Sequence, residues 1–281
     1  MKYSRPIEQI IQQRYSSRTL DGKPLKPKKI QLIEESLQTR TGPFGNTVRF
    51  EFIDSHNTLK GERVKIGTYG LVKGTRYFVL GIMNKNSLNL IDFGYVFEEM
   101  ILRATNLSLG TVWLGRSFDS DVITNLVELQ NDEVIPAITP IGYIAPRKSL
   151  REKIIELGIS SRKRKSWEKL FFDNDFQTPL TRENAGPYEL PLEMVRIAPS
   201  ARNLQPWRIL REGSNFQFYI ESRNSIKSMS QFPYMDIGIA MCHFELTAIE
   251  QKLDGHWVIE NPHTITPTLD LEYIVSWISE K

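Results

Sequence analysis

Two long apolar stretches, Asp92–Leu109 and Asp236–Leu253, match without a gap at a spacing of 144 residues. At that spacing Asp92 meets Asp236, Gly94 meets Gly238, Leu102 meets Leu246, Ala104 meets Ala248, Leu109 meets Leu253 and Trp113 meets Trp257. Each stretch is apolar on most of its helical faces, as befits a helix at the centre of a core. A chain with two such helices, both opened by Asp-x-Gly and both followed by Trp, has two cores to build, and a repeated unit accounts for the pattern. Two unrelated core helices are the alternative. A length of 281 residues accommodates one large domain or two modest ones.

The rest of the periodicity places helices and strands around these two anchors. Pro6–Gln13 reads as a short helix with Ser4 as its cap and Ile7, Ile10 and Ile11 on one face. Leu25–Leu37 reads as a second helix, Val48–Phe52 as an alternating strand, 60–75 as a Gly-rich loop and Tyr77–Met83 as a buried strand. After the long helix, Thr111–Gly115 reads as a strand, Asp119–Leu129 as a helix and Ala137–Ile144 as a strand. The charged region 149–164 reads as a linker, and Lys163-Arg164-Lys165 as part of its exposed surface. Beyond it come a helix at Leu190–Ile197, strands at Trp207–Arg211 and Phe216–Ile220 joined around Gly213-Ser214-Asn215, and the second long helix. The class is α+β, with halves at 1–150 and 151–281.

Composition narrows the chemistry. A net charge of +3 suits a phosphorylated ligand but is too small to suggest nucleic acid. Cys242 is the one cysteine, so an internal disulfide is impossible and a reducing, cytoplasmic location is expected. The first residues carry no signal-peptide core, and no uncharged apolar run approaches the roughly 18 residues of a membrane span. No membrane association is expected. His56, His243, His256 and His263 do not fall at metal-ligand spacing, and Cys242 beside His243 on a core helix reads as structural, so no metal is expected. There is no Gly-x-Gly-x-x-Gly after a strand and no Walker A motif.

Two segments carry candidate chemistry. Ala198-Pro199-Ser200-Ala201-Arg202-Asn203-Leu204-Gln205-Pro206-Trp207 brackets a hydroxyl and two amides between prolines, which fix the backbone locally. Such a loop can present Ser200, Asn203 and Gln205 to a flat heteroaromatic with polar edges; it can equally be a connection that caps the preceding helix. Arg14-Tyr15-Ser16-Ser17-Arg18 offers, at Arg14, Ser16 and Arg18, two guanidiniums and a hydroxyl, the donors that a phosphate dianion requires. Taken alone, it is also compatible with a solvated basic turn.

Together the two segments resemble those of the nitroreductase family of flavoproteins, and Leu107–Gly115 and Ile141-Gly142-Tyr143 resemble its closing segments. The two motifs lie close in sequence in ordinary members but far apart here, which resembles the fused TM nitroreductase subgroup. The resemblance implies a nitroreductase-like fold in two tandem degenerate copies, a single-chain pseudo-dimer that acts as a monomer. It implies FMN gripped at its phosphate by Arg14, Ser16 and Arg18, with Pro199, Ser200, Asn203 and Gln205 along the ring. Leu114 and Gly115, in the turn with Arg116, would place a backbone N–H near flavin N5. Gln205, or less directly Arg202 or Lys73, would face the N1 edge, and Arg147, Lys148 and Arg151 would complete the phosphate clamp or form a solvated linker. A second grip from Arg164, Ser166 and Glu168, with Gly42, Pro43, Asn46 and Val48, has a carboxylate facing the phosphate. One FMN per chain is therefore expected. The implied activity passes hydride from NAD(P)H through FMN to a small acceptor such as a nitroaromatic or quinone, with no acid–base side chain singled out. Flavin binding without turnover, flavin fragmentation and reductive dehalogenation are the alternatives on the same scaffold.

Overall fold

The computed structural model describes residues 3–56, 64–85, 90–115, 117–159, 163–221, 231–259 and 270–280. The chain forms two compact units, one of Met1–Arg5 with Gln13–Ser161, the other of Pro6–Gln12 with Arg162–Lys281. The division thus falls later than residue 150, and most of the first helix counts with the second unit. No helix among the described residues is long and apolar enough to cross a membrane.

Helix α1 (Ile7–Gln13) shows why it belongs there. Seven residues are too few to hold a helix in water. Burial of Ile7, Ile10 and Ile11 to 2% exposure or less stabilises it, at roughly 1.5–3 kcal/mol per side chain. Its first N–H is not capped by Ser4: the Glu250 carboxylate accepts from Ile7 N at 2.9 and 3.1 Å. The Ser4 hydroxyl instead donates to Asn106 Oδ1 at 2.9 Å in the first unit. Sequence alone favours a local cap, and a long-range carboxylate took the place.

The first unit is built on an antiparallel sheet of β1 (Arg40–Thr41), β2 (Thr47–Asp54), β3 (Tyr77–Asn84), β4 (Gly110–Thr111) and β5 (Glu133–Gly142), in the order β1-β2-β3-β5-β4. Helices α2 (Pro27–Ser36), α3 (Leu90–Asn106), α4 (Ser120–Thr124) and α5 (Leu150–Ile159) complete it. β3 is buried along nearly its whole length because it is covered on both faces. On one face Gly81 admits Phe93 and Phe97 of α3; a Cβ there would lie 2.8 and 2.7 Å from their rings. On the other, Leu80 and Ile82 pack with Leu114, Ile123 and Ile138.

Three expectations change here. The strand expected over Thr111–Gly115 keeps only Gly110–Thr111 in the ladder, with Leu114 making an isolated bridge to Ile138. The helix expected to Leu129 ends at Thr124; Asp119 caps it through Val122 N at 3.3 Å, while Leu126, Val127 and Leu129 pack on the core from irregular chain. The expected linker contains α5, held down by buried Glu152.

The second unit has a six-stranded sheet: β6 (Phe171–Asp173), β7 (Asp175–Pro179), β8 (Trp207–Glu212), β9 (Asn215–Glu221), β10 (Gly255–Val258) and β11 (Leu271–Ser279), in the order β10-β11-β9-β8-β6-β7. Only the β6–β8 pair is parallel among these. Helices α6 (Arg182–Ala185), α7 (Glu189–Ile197) and α8 (Phe232–Glu250) accompany it. Cys242 and His243 are buried on α8, and His243 Nδ1 donates to Met194 O at 3.0 Å, the structural role expected of it.

The units repeat one plan. In the first, strand, strand, long helix, strand, strand gives the sheet order β2-β3-β5-β4 around α3; in the second the same succession gives β8-β9-β11-β10 around α8. The aligned tryptophans also behave alike, Trp113 Nε1 donating to Glu98 at 2.7 Å and Trp257 Nε1 to Glu245 at 2.8 Å.

Candidate functional site

After α1 the chain runs extended along the first unit. Ser16 bridges Thr111 in parallel, Ser17 N donates to Thr111 O at 2.8 Å, and Leu20 N and Lys73 N exchange bonds with Lys73 O and Arg18 O at 2.9 Å. Backbone pairing on both sides fixes the segment, so the Arg14–Arg18 side chains project from a rigid base rather than from a solvated turn.

The donors of this segment are unusually short of acceptors. Arg14 is 6% exposed at its side chain, and its one ion pair among the described residues, to Glu98, is long at 3.7 Å. Its Nε has no hydrogen-bond partner, nor do Ser17 Oγ and Arg18 Nη1, all of them buried atoms. Burial pushes the pKa of Arg14 down, opposed by Glu98, and that of Arg18 down, opposed by Glu152 and Glu156. A buried donor left without an acceptor costs about 1–3 kcal/mol, so an undisturbed fold tends to eliminate it. Three within five residues mark a place built for something else. Arg14 and Ser17 adjoin a cavity of about 260 Å³, whose wall also includes Gln13, Tyr15, Ser108 and Ile144.

Acidic side chains balance these cations. Glu152, 2% exposed, accepts from Arg18 N at 3.1 Å and from the Thr19 hydroxyl at 2.6 Å. Lys148 pairs with Glu156 and sits 5.1 Å from the centre of the Tyr15 ring. Arg151 donates to Tyr69 O at 2.8 Å, and Arg147 is exposed. Of the basic residues after the last strand, Lys148 is the one the structure brings to the Arg14–Arg18 segment. Leu114 is buried, exchanging backbone bonds with Ile138 at 3.0 Å, and Gly115 follows at a bend; Arg116 lies outside the described residues.

Pro199, Ser200, Asn203 and Gln205 belong to the second unit. There the loop is folded tightly on itself. Ser200 Oγ accepts from Gln205 N at 2.9 Å, and Arg202, Asn203 and Gln205 have φ of +50°, +57° and +48°. Such left-handed conformations are unfavourable for Arg and Gln and persist only where surroundings hold them. The holding groups come from 163–165. Gln205, 3% exposed, accepts from Lys165 N at 2.7 Å; Asn203 donates to Lys163 O at 2.8 Å and accepts from Arg164 Nη1 at 3.1 Å. Arg164 Nη2 donates to Ile197 O at 2.9 Å. Arg164 and Lys165 are therefore half-buried and engaged, a correction to the exposed linker expected of them.

Below the loop, Asp236 accepts from Ala201 N at 3.0 and 3.2 Å. Asp92, its counterpart, accepts from Phe44 N at 3.0 Å, Asn46 N at 3.0 Å and Asn46 Nδ2 at 2.8 Å. The two aspartates thus anchor corresponding loops. Burial pushes the Asp236 carboxyl up to about 8, with one backbone N–H opposing. Where Arg202 is forced to positive φ, the first unit has Gly45 at +87°.

The sequence reading missed Ser17, Glu98, Glu152 and Asp236. Glu98 and Asp236 stood inside largely apolar helices, where a buried acid is itself a signal; nothing local marked Ser17 or Glu152.

Residues 6–248 match the family model described as "Putative TM nitroreductase". A solved "putative nitroreductase" from Thermotoga maritima MSB8 shares the fold at TM-score 0.61 and 19% identity, covering 99% of this chain and 95% of that one. An FMN-dependent nitroreductase from Clostridium difficile R20291 aligns at TM-score 0.38 and 19% identity over 50% of this chain and 88% of its own. A "putative nitroreductase" in complex with FMN from Desulfovibrio desulfuricans aligns at 0.36 and 21% over 53% and 95%. No curated protein matches the sequence.

Proposed function

Because the chain belongs to the "Putative TM nitroreductase" family, we propose that it is an FMN-dependent oxidoreductase that passes hydride from NAD(P)H to a small acceptor such as a nitroaromatic or quinone. The observation that carries the reading is the set of buried donors without acceptors at Arg14, Ser17 and Arg18. A phosphate monoester is the ligand their chemistry fits, since it offers several anionic acceptor oxygens to forked and hydroxyl donors. Arg14, Ser16 and Arg18 are assigned to the phosphate end, with Lys148 the nearest further cation and Arg147 and Arg151 more distant candidates. Leu114 and Gly115 are assigned to the ring by their backbone. Bound FMN would supply the hydride chemistry, and the chain would bind and orient it.

The contrast between the two arginine grips supports one FMN per chain. The Arg164 Nη atoms donate to Asn203 Oδ1 and Ile197 O within the fold, whereas Arg14, its counterpart, has a long ion pair of 3.7 Å with Glu98. Glu168 stands where a second cation would be needed. The repeated strand–helix plan supports an internal duplication, and with it a fused pair that functions as a monomer. Pro199, Ser200, Asn203 and Gln205 retain their ring-side assignment as a proposal, testable by Asn203→Ala.

The purified protein is expected to be yellow, with one flavin per chain, and to bleach when NADH or NADPH is added anaerobically. Yellow protein that never bleaches would leave a flavin carrier without turnover. Colourless protein that refuses added FMN would end the proposal.

A further inference from the structure

We propose that the outward face of α5 is a peripheral docking surface for an anionic lipid membrane. Leu150, Ile154 and Leu157 fall at i, i+4 and i+7, so they line one side of the helix. An amphipathic helix ordinarily turns that side to its own core, yet these three are 79%, 68% and 80% exposed. The carboxylates of the helix are turned away from the stripe. Glu152 is buried, accepting from Arg18 N at 3.1 Å and from the Thr19 hydroxyl at 2.6 Å, and Glu156 pairs with Lys148. α5 is thus inside out: its acids hold it to the first unit, and its aliphatic side faces water. An aliphatic side left in water at this spacing marks a contact surface.

Charge and area select the occupant. Lys153 and Arg151 flank the stripe and Arg147 precedes it, all three exposed, while both acids of the helix are already engaged. A second copy would set these cations against themselves, whereas an anionic surface neutralises them. Tyr69 is 69% exposed and stands beside the helix, its carbonyl accepting from Arg151 Nη2 at 2.8 Å. With that ring the patch offers on the order of 500 Å², short of the roughly 800 Å² per partner that a stable protein–protein interface buries. A membrane makes no such demand. A helix lying in the interface plane binds through its apolar side and its cations, with an aromatic ring at headgroup level. No spanning segment is needed. With so few cations and aliphatic side chains the association is weak, reversible and sensitive to salt.

The test is co-sedimentation of the whole chain with two kinds of vesicle, phosphatidylcholine alone and phosphatidylcholine mixed equally with phosphatidylglycerol. Wild type should sediment with the mixed vesicles at about 0.1 M salt, stay in solution with the neutral ones, and be released at about 1 M. Lys153→Glu should weaken binding about tenfold or more, as expected of reversing a charge at an anionic surface. Arg147 and Arg151 are left intact because they are also candidates for the phosphate end. The triple variant Leu150→Gln, Ile154→Gln, Leu157→Gln should abolish binding. Its urea midpoint should equal or exceed that of the wild type, since the three side chains already face water. None of these readouts involves flavin, so they stand apart from the proposed cofactor. Wild type that ignores the mixed vesicles, binds neutral ones equally well, or keeps its binding after the triple substitution would overturn the proposal. So would a lower urea midpoint for the triple variant, which would mean that the stripe is covered within the chain. A wild-type dimer that the triple variant dissolves would give the face to a second copy instead, and binding to polyglutamate but not to vesicles would give it to an acidic protein.

Discussion

Asp236 is the most exacting test of how the second unit is held together. Its carboxyl is buried near the start of α8, with one backbone N–H, that of Ala201, donating to it. Burial raises its pKa from 3.8 to about 8. The unfolded chain releases this proton near pH 4, whereas the folded chain keeps it to about 8. The group's contribution is therefore fully favourable only below the unfolded value and is lost as pH rises through the window. The loss is about 1.4 kcal/mol per pH unit, hence on the order of 4 kcal/mol by pH 7 as an upper limit. Asp236→Asn keeps an oxygen for Ala201 N–H and removes the titration. Urea unfolding at pH 5, 6, 7 and 8, followed by tryptophan fluorescence, should give a variant that gains on the wild type with each step, up to several kcal/mol. A difference that stays constant from pH 5 to 8, or a variant that loses ground as pH rises, would refute the reasoning.

Other perturbations separate binding from stability. Arg18→Glu should collapse FMN affinity in a fluorescence titration, because a third carboxylate joins Glu152 and Glu156 around the phosphate. Arg14→Lys keeps a cation beside Glu98 but loses the planar fork, so FMN affinity should fall about tenfold while chemical denaturation shifts by less than about 1 kcal/mol. Arg164→Ala should instead cost about 1.5–3 kcal/mol of stability, since it removes the donors to Asn203 Oδ1 and Ile197 O. Gly81→Ala should lower stability by about 1–3 kcal/mol in the same assay, because the new methyl meets Phe93 and Phe97 at 2.8 and 2.7 Å.

Much of the scaffold was legible from local pattern. The two long helices, the buried strand β3 and the hairpin through Gly213 are each dictated by residues near one another in sequence. β6, β7, β10 and β11 were not seen: β6 and β7 are short, and β10 is half-exposed and only four residues long. The pairing of β11 with β9 is a distant contact, which periodicity does not report. The same limit governs the site. The Arg-x-Ser-x-Arg spacing pointed to an anion, but no sequence pattern says that Ser17 Oγ lacks an acceptor. Nor does it say that Lys165 N, forty residues away, occupies Gln205 Oε1. Motifs name donor types, and only the fold decides which donors are already taken.

The place of α1 has a consequence for how the chain is made. This helix is synthesised well before the carboxylate that caps it, since Glu250 lies 243 residues further along the chain from Ile7. Until the residues from Arg162 onward emerge, its three isoleucines have no companions in their final unit. Deletion of α1 would therefore strike the later-made unit, opening a hole in its core where Ile7, Ile10 and Ile11 are buried.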